Sequence, residues 1–207
     1  MKLAMARRIG MEVVEALSPA CERIVVAGSI RREKAQPGDV EIVYLPRLVE
    51  IQKDLFTREW VPATEQAVVE LVLGHFWRFD QDTQRNGPLY KRMIKEVATA
   101  GVIGGWPREQ VVIELYRALP DNWGLQLALR TGPADFNHLL VTQRQDGGAM
   151  PRGMRMAGAS LWRGEERLAS RTEEEFFEQI GVPCWRPEER TQARLAVWMV
   201  QACGRQD

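Results

Sequence analysis

Val25-Val26-Ala27-Gly28-Ser29-Ile30-Arg31-Arg32, followed by Gly38-Asp39-Val40-Glu41-Ile42-Val43-Tyr44, is the stretch that decides how the chain is read. An apolar strand end runs into a Gly-Ser turn and two arginines. A second strand then opens with two acids. Alternate residues of a strand share a face, so Asp39 and Glu41 look into one space while Val40 and Ile42 enter a core. Gly28-Ser29 offers backbone N–H groups and a hydroxyl, which suit a phosphate. Paired acids for a divalent cation beside donors for phosphate form the donor set of phosphoryl transfer. A generic Gly-Ser turn is most often only a polar hairpin tip. The joint spacing of Gly-Ser, Arg-Arg and Gly-Asp-x-acid is far more specific than such a turn.

The chain has 207 residues, enough for one large domain or two small ones, each able to bury a core. Its formal net charge is +0, so no global basic field announces nucleic acid. Charge is uneven, however. Residues 1–34 and 85–108 lean basic, while 39–82 and 172–207 lean acidic, which leaves room for a local basic groove. Cys21, Cys184 and Cys203 are odd in number and lack C-x-x-C spacing. That argues against a disulfide framework or a zinc site, and fits a reducing cytoplasm. With His75 and His138 as its only histidines, the chain does not suggest a histidine-based metal site. No apolar run approaches membrane-span length and no signal-peptide pattern opens the chain, so no membrane partner is expected.

Apolar spacing predicts a helix over 2–17, strands over 24–27 and 39–45, and a helix over 63–75. It also predicts a short strand at 76–79 and strands over 89–97 and 111–117. In the last of these, Val112, Glu114 and Tyr116 share one face. Residues 46–62 are ambiguous and 98–110 read as a loop. Beyond 130 come a helix to about Gln143, short strands between Met150 and Ala169, a helix after Thr172 and a final helix. A sheet-rich half thus gives way to a smaller mixed half near 130. The fold class is α+β. The seven tryptophans read mostly as core or partner surface, with Trp106 the leading exception as a base-stacking residue.

Three ordered segments resemble the DNA polymerase X family. They are Gly28-Ser29-Ile30-Arg31-Arg32 with Gly38-Asp39-Val40-Glu41, then Val112-Ile113-Glu114-Leu115, then Arg130-Thr131-Gly132-Pro133-Ala134-Asp135-Phe136-Asn137. Glu175-Phe176-Phe177 through Arg190 is similar to the family's thumb ending.

The resemblance implies a nucleotidyltransferase palm over 1–129, with a mixed or antiparallel sheet and helices on one face. A small α/β thumb would follow over 130–207. It implies a small DNA polymerase that fills gaps or extends a DNA 3′ end with dNTP, as in repair synthesis. Asp39, Glu41 and Glu114 would be the catalytic, metal-binding carboxylates, with Mg²⁺ as cofactor and Mn²⁺ as an alternative. Gly28, Ser29, Arg32, Gly38, Arg130, Gly132 and Asn137 would bind the nucleotide.

Two departures stand out. The family uses Asp at all three carboxylate positions, whereas Glu41 and Glu114 are each longer by about 1.5 Å. Either the backbone shifts to compensate, or Mn²⁺ serves better, or the site is crippled. Only one helix precedes the Gly-Ser strand, so palm plus thumb without a lyase domain is expected, as in the smallest viral and bacterial members. Two other readings stay open. One is a nucleic-acid-binding relic of the same fold, and the other is a transferase for a non-DNA acceptor.

Overall fold

A computed structural model describes residues 1–74, 77–80, 86–98 and 108–203. His75, Trp106 and residues 99–107 lie outside the described residues, and the two ends of the stretch read as a loop, Ala98 and Arg108–Gln110, instead belong to paired strands, because backbone pairing extends past the apolar alternation. The chain divides into two compact units, Met1–Val26 with Ala35–Ala118, and Ala27–Lys34 with Leu119–Asp207. The division falls slightly before the boundary expected near 130. It also assigns the Gly28–Arg32 turn to the second unit. The cause lies in the contacts of that turn, described below.

The first unit is built on a five-stranded sheet ordered β1-β2-β7-β6-β5. Its strands are β1 (Cys21–Val26), β2 (Val40–Pro46), β5 (Trp77–Phe79), β6 (Tyr90–Ala98) and β7 (Arg108–Arg117). β2 and β7 run parallel, and the other neighbours are antiparallel. The sheet is therefore mixed, as expected. Alternation settles its faces. Val40, Ile42, Val111, Ile113, Leu115 and Met93 are buried, whereas Glu41, Val112, Glu114 and Tyr116 are half-exposed.

Helix α1 (Leu3–Leu17) supplies Ala6, Ile9, Val13 and Leu17 at helical spacing, all fully buried. It packs on β1 and β2 and against α3 (Thr64–Gly74). Burying Ile9, Val13 or Leu17 contributes about 1.5–3 kcal/mol each. Gly10 lets α1 approach the sheet, since a Cβ there would lie 3.0 Å from Val26.

The ambiguous 46–62 stretch forms a separate hairpin of β3 (Leu48–Gln52) and β4 (Arg58–Pro62). Its tip is closed by Asp54, whose carboxylate accepts the N–H groups of Phe56 and Thr57. Sequence could not resolve it because both of its faces are largely exposed, so no hydrophobic alternation marks it.

The second unit contains α2 (Gly28–Arg31), α4 (Trp123–Thr131), α5 (Ala134–Val141), α6 (Glu173–Ile180) and α7 (Gln192–Cys203). It also contains a three-stranded antiparallel sheet of β8 (Met154–Ala157), β9 (Ser160–Arg163) and β10 (Glu166–Leu168). Leu125, Phe136, Leu140, Phe176, Phe177, Ile180 and Leu195 form its core. Both ends of α6 were legible. The Thr172 hydroxyl accepts the Glu175 N–H at 3.1 Å, and Gly181 closes the helix with φ 69°.

Backbone contact is closest at Gly124, where a Cβ would meet the Thr172 carbonyl oxygen at 1.9 Å. Gly124→Ala should therefore lower stability by about 1–3 kcal/mol or more, because rigid backbone stands on both sides. A lowered urea midpoint with an unchanged m-value is the expected reading.

Candidate nucleotide and carboxylate sites

The residues singled out from sequence fall into two sets, one in each unit. The first unit holds Gly38, Asp39, Glu41 and Glu114. Asp39 sits in the bend before β2, and Glu41 is its second residue. Strand register sets Glu41 opposite Glu114 on β7, and Arg92 of β6 opposite Glu114 on its other side. Glu41 and Glu114 are thus lateral neighbours on the half-exposed face, as the alternation required.

The Glu114 carboxylate is already engaged at both oxygens. The Tyr90 hydroxyl donates to Oε1 at 2.6 Å and the Tyr116 hydroxyl to Oε2 at 2.5 Å. Tyr116 was placed on the Glu114 face by alternation. Tyr90 joins because β6 pairs it directly with Tyr116, ring centroids 5.1 Å apart. Lys91 and Arg92, adjacent residues of β6, form ion pairs with Glu65 at 2.9 Å and Asp80 at 3.3 Å.

Three carboxylates are the right chemistry for a hard divalent cation. Among the described residues, however, no three Asp, Glu, His or Cys side chains are grouped closely enough to hold a metal ion. With Glu114 taken up by two hydroxyls, the trio does not fit a two-cation site in this arrangement.

The second unit holds Gly28, Ser29, Arg32, Arg130, Gly132 and Asn137. The expected Gly-Ser turn opens a single helical turn, α2, in which Gly28 takes φ 62°, a conformation that suits glycine. Ser29 is buried, and its Oγ has no hydrogen-bond partner. A buried hydroxyl without a partner costs about 1–3 kcal/mol, which an incoming acceptor would relieve.

The two arginines divide their work. Arg32 donates to the Thr131 carbonyl. Arg31 donates to the Thr131 hydroxyl at 2.8 Å and forks onto Glu173 at 2.9 and 2.5 Å. Arg190, almost fully buried, reaches the same Glu173 at 2.6 Å. Burial alone would raise the Glu173 carboxyl. The hydrogen bonds and charges of Arg31 and Arg190 outweigh that and hold it below its ordinary value. These contacts tie the 27–34 segment to α4 and α6.

Asn137 donates from Nδ2 to the carbonyls of Leu129 at 2.5 Å and Gly132 at 3.1 Å, which leaves its buried Oδ1 without a partner. A Cβ at Gly132 would come within 2.3 Å of that oxygen, so any larger residue there would displace the Asn137 side chain. Arg130 lies in the last turn of α4, where a cation suits the helix dipole. Sequence reasoning missed Glu173 and Arg190. The acids after Thr172 suit the first turn of a helix by its dipole, and only long-range packing distinguishes buried Glu173 from exposed Glu174.

No helix among the described residues is long and apolar enough to cross a membrane. A comparison with curated proteins finds no match. A family model described as DNA polymerase beta thumb matches residues 126–191, which run from α4 to the start of the last helix. This is the segment where the Arg130–Asn137 motif and the Glu173–Arg190 pair lie. Over that stretch, about a third of the chain, the protein is similar to the DNA polymerase beta thumb.

Proposed function

We propose that the protein binds DNA and a nucleoside triphosphate and adds dNMP to a DNA 3′-hydroxyl, in gap filling or repair-type synthesis. The observation that carries this reading is the buried, unpartnered Ser29 Oγ, in the same compact unit as Arg32, Arg130, Gly132 and Asn137. A triphosphate supplies the acceptors that such a hydroxyl lacks. The Asn137 Oδ1 offers a second unsatisfied polar atom on the helix that follows the Thr131-Gly132 junction. The thumb match supports DNA as the polymer. The reading needs a divalent cation, Mg²⁺ or Mn²⁺, for which Asp39 and Glu41 are the candidate holders.

The test is incorporation of labelled dNTP on gapped, primed and single-stranded DNA with Mg²⁺ or Mn²⁺. Extension of any of the three by wild-type protein supports the reading. Absence of product on all of them rejects DNA synthesis. Ser29→Ala should weaken dNTP binding about tenfold, the order expected for one hydrogen bond to a charged group, as read by titration.

One observation favours a second reading. The two tyrosine hydroxyls on Glu114 suit a protein that binds DNA without turnover. Such a protein would bind DNA with a steep salt dependence, incorporate nothing, and be indifferent to Glu114→Ala.

A further inference from the structure

We propose that the β3–β4 hairpin is a self-association surface, and that two copies of the chain join there, hairpin to hairpin, about a two-fold axis.

Every residue from Arg47 to Trp60 is exposed, although the stretch is rich in large apolar side chains. Leu48, Val49, Ile51, Leu55, Phe56 and Trp60 make up half of the large apolar side chains that are exposed among the described residues. Leu55 is 88% exposed, Phe56 94% and Trp60 64%. Scattered apolar residues on a surface need no explanation, but a contiguous group of this size marks an interaction site.

Register shows that no single layer could bury them. Residues opposed across an antiparallel pair share a face. Leu48 and Trp60 therefore lie on one face, beside the Glu50–Arg58 pair, while Val49, Ile51 and Val61 lie on the other. The sheet has only two strands, and an isolated two-stranded hairpin is marginally stable in water without further packing. Both of its outer strand edges are long enough to template another strand.

Charge and area select the occupant. Between Leu48 and Pro62 every charged side chain is matched inside the hairpin. Arg58 pairs with Glu50 at 3.0 Å, Lys53 pairs with Glu59 at 2.9 Å, and the Asp54 carboxylate accepts the N–H groups of Phe56 and Thr57. No cation is left over for a nucleic acid or an anionic lipid surface, and a two-fold interface needs a patch that complements itself. With an aromatic side chain at about 150–250 Å² and an aliphatic one somewhat smaller, the open parts of the six come to roughly 700 Å². A specific interface of standard size buries ~800 Å² per partner, with aromatic residues enriched at its centre.

The test is sedimentation of the full chain over a concentration series, compared with Trp60→Ala, Phe56→Ser and, as a control in the other unit, Val200→Ser, where the valine is 76% exposed. Wild type should reach twice the chain mass of 23.6 kDa by about 50 µM, since interfaces of this size hold at micromolar affinity or tighter. Weakening of the dimer by about tenfold or more in either hairpin variant, with Val200→Ser unchanged, supports the proposal. Phe56→Ser removes an almost fully exposed ring, so it reports even if Trp60→Ala loosens the hairpin. A wild-type chain that stays monomeric at 50 µM overturns the proposal, as does a dimer indifferent to both hairpin variants. Co-flotation of a monomeric wild type with phosphatidylcholine vesicles, lost in Phe56→Ser, overturns it in favour of a lipid surface.

Discussion

Glu173→Gln should destabilise the protein by about 3–5 kcal/mol, the usual consequence of breaking a buried ion pair from one side. Glu173 is 8% exposed and Arg190 2% exposed. The carboxylate accepts from Arg190 at 2.6 Å and from both terminal nitrogens of Arg31. Glutamine keeps the shape but offers one acceptor oxygen in place of two, and no charge, to two guanidinium groups. Arg190 then remains buried with an uncompensated charge. Its stacking over the Phe177 ring, 4.9 Å from the centroid, is too weak to replace the partner. Urea denaturation measures the loss.

The same pair dictates a pH dependence. The folded-state value of Glu173 lies below its ordinary 4.5. Its contribution is therefore complete above the unfolded value and fades as pH falls through the lowered folded value. The gap between wild type and Glu173→Gln should be widest near neutral pH and shrink in acid below about pH 4. A gap that stays constant down to pH 3 would place the stabilisation elsewhere.

Asp39→Ala should reduce dNTP incorporation to the level of a no-protein control, while leaving the urea midpoint within about 0.5 kcal/mol of wild type. Asp39 is half-exposed and lies in a bend outside the regular elements. In the proposed reading it holds a cation together with Glu41, its neighbour two residues on at the start of β2. A methyl side chain could not help hold the cation that would offset the negative charge developing on a transferred phosphoryl group. DNA binding should persist in this variant, since phosphate contacts belong to cationic side chains. Incorporation that survives Asp39→Ala would remove this residue from the chemistry. A parallel loss of stability would instead make it structural.

Much of the architecture was written locally. The α1 stripe of Ala6, Ile9, Val13 and Leu17, the alternation along β7, and the Thr172 and Gly181 ends of α6 are short-range patterns, and each produced the element it predicted. The family resemblance was legible for the same reason. Its Arg130–Asn137 and Phe176–Arg190 segments are contiguous strings, and they lie in the stretch matched by the thumb family. The 46–62 hairpin was not legible, because exposed strands leave no burial code.

By itself the sequence determined the α+β class, the periodic elements such as α1, α6 and β7, and which of their residues share a face, because helix and strand periodicity are local properties of the backbone. It did not determine which polar groups meet. Two adjacent arginines look equivalent on paper. Folding sends Arg31 to Glu173, 142 positions away, and Arg32 to the Thr131 carbonyl. Glu114 looked like an open carboxylate until β6 brought Tyr90 across from Tyr116, 24 residues from the acid it binds. Such pairings depend on strand register and on packing between distant segments. A buried carboxylate takes whichever donors the tertiary structure places within reach, and no local pattern encodes that choice.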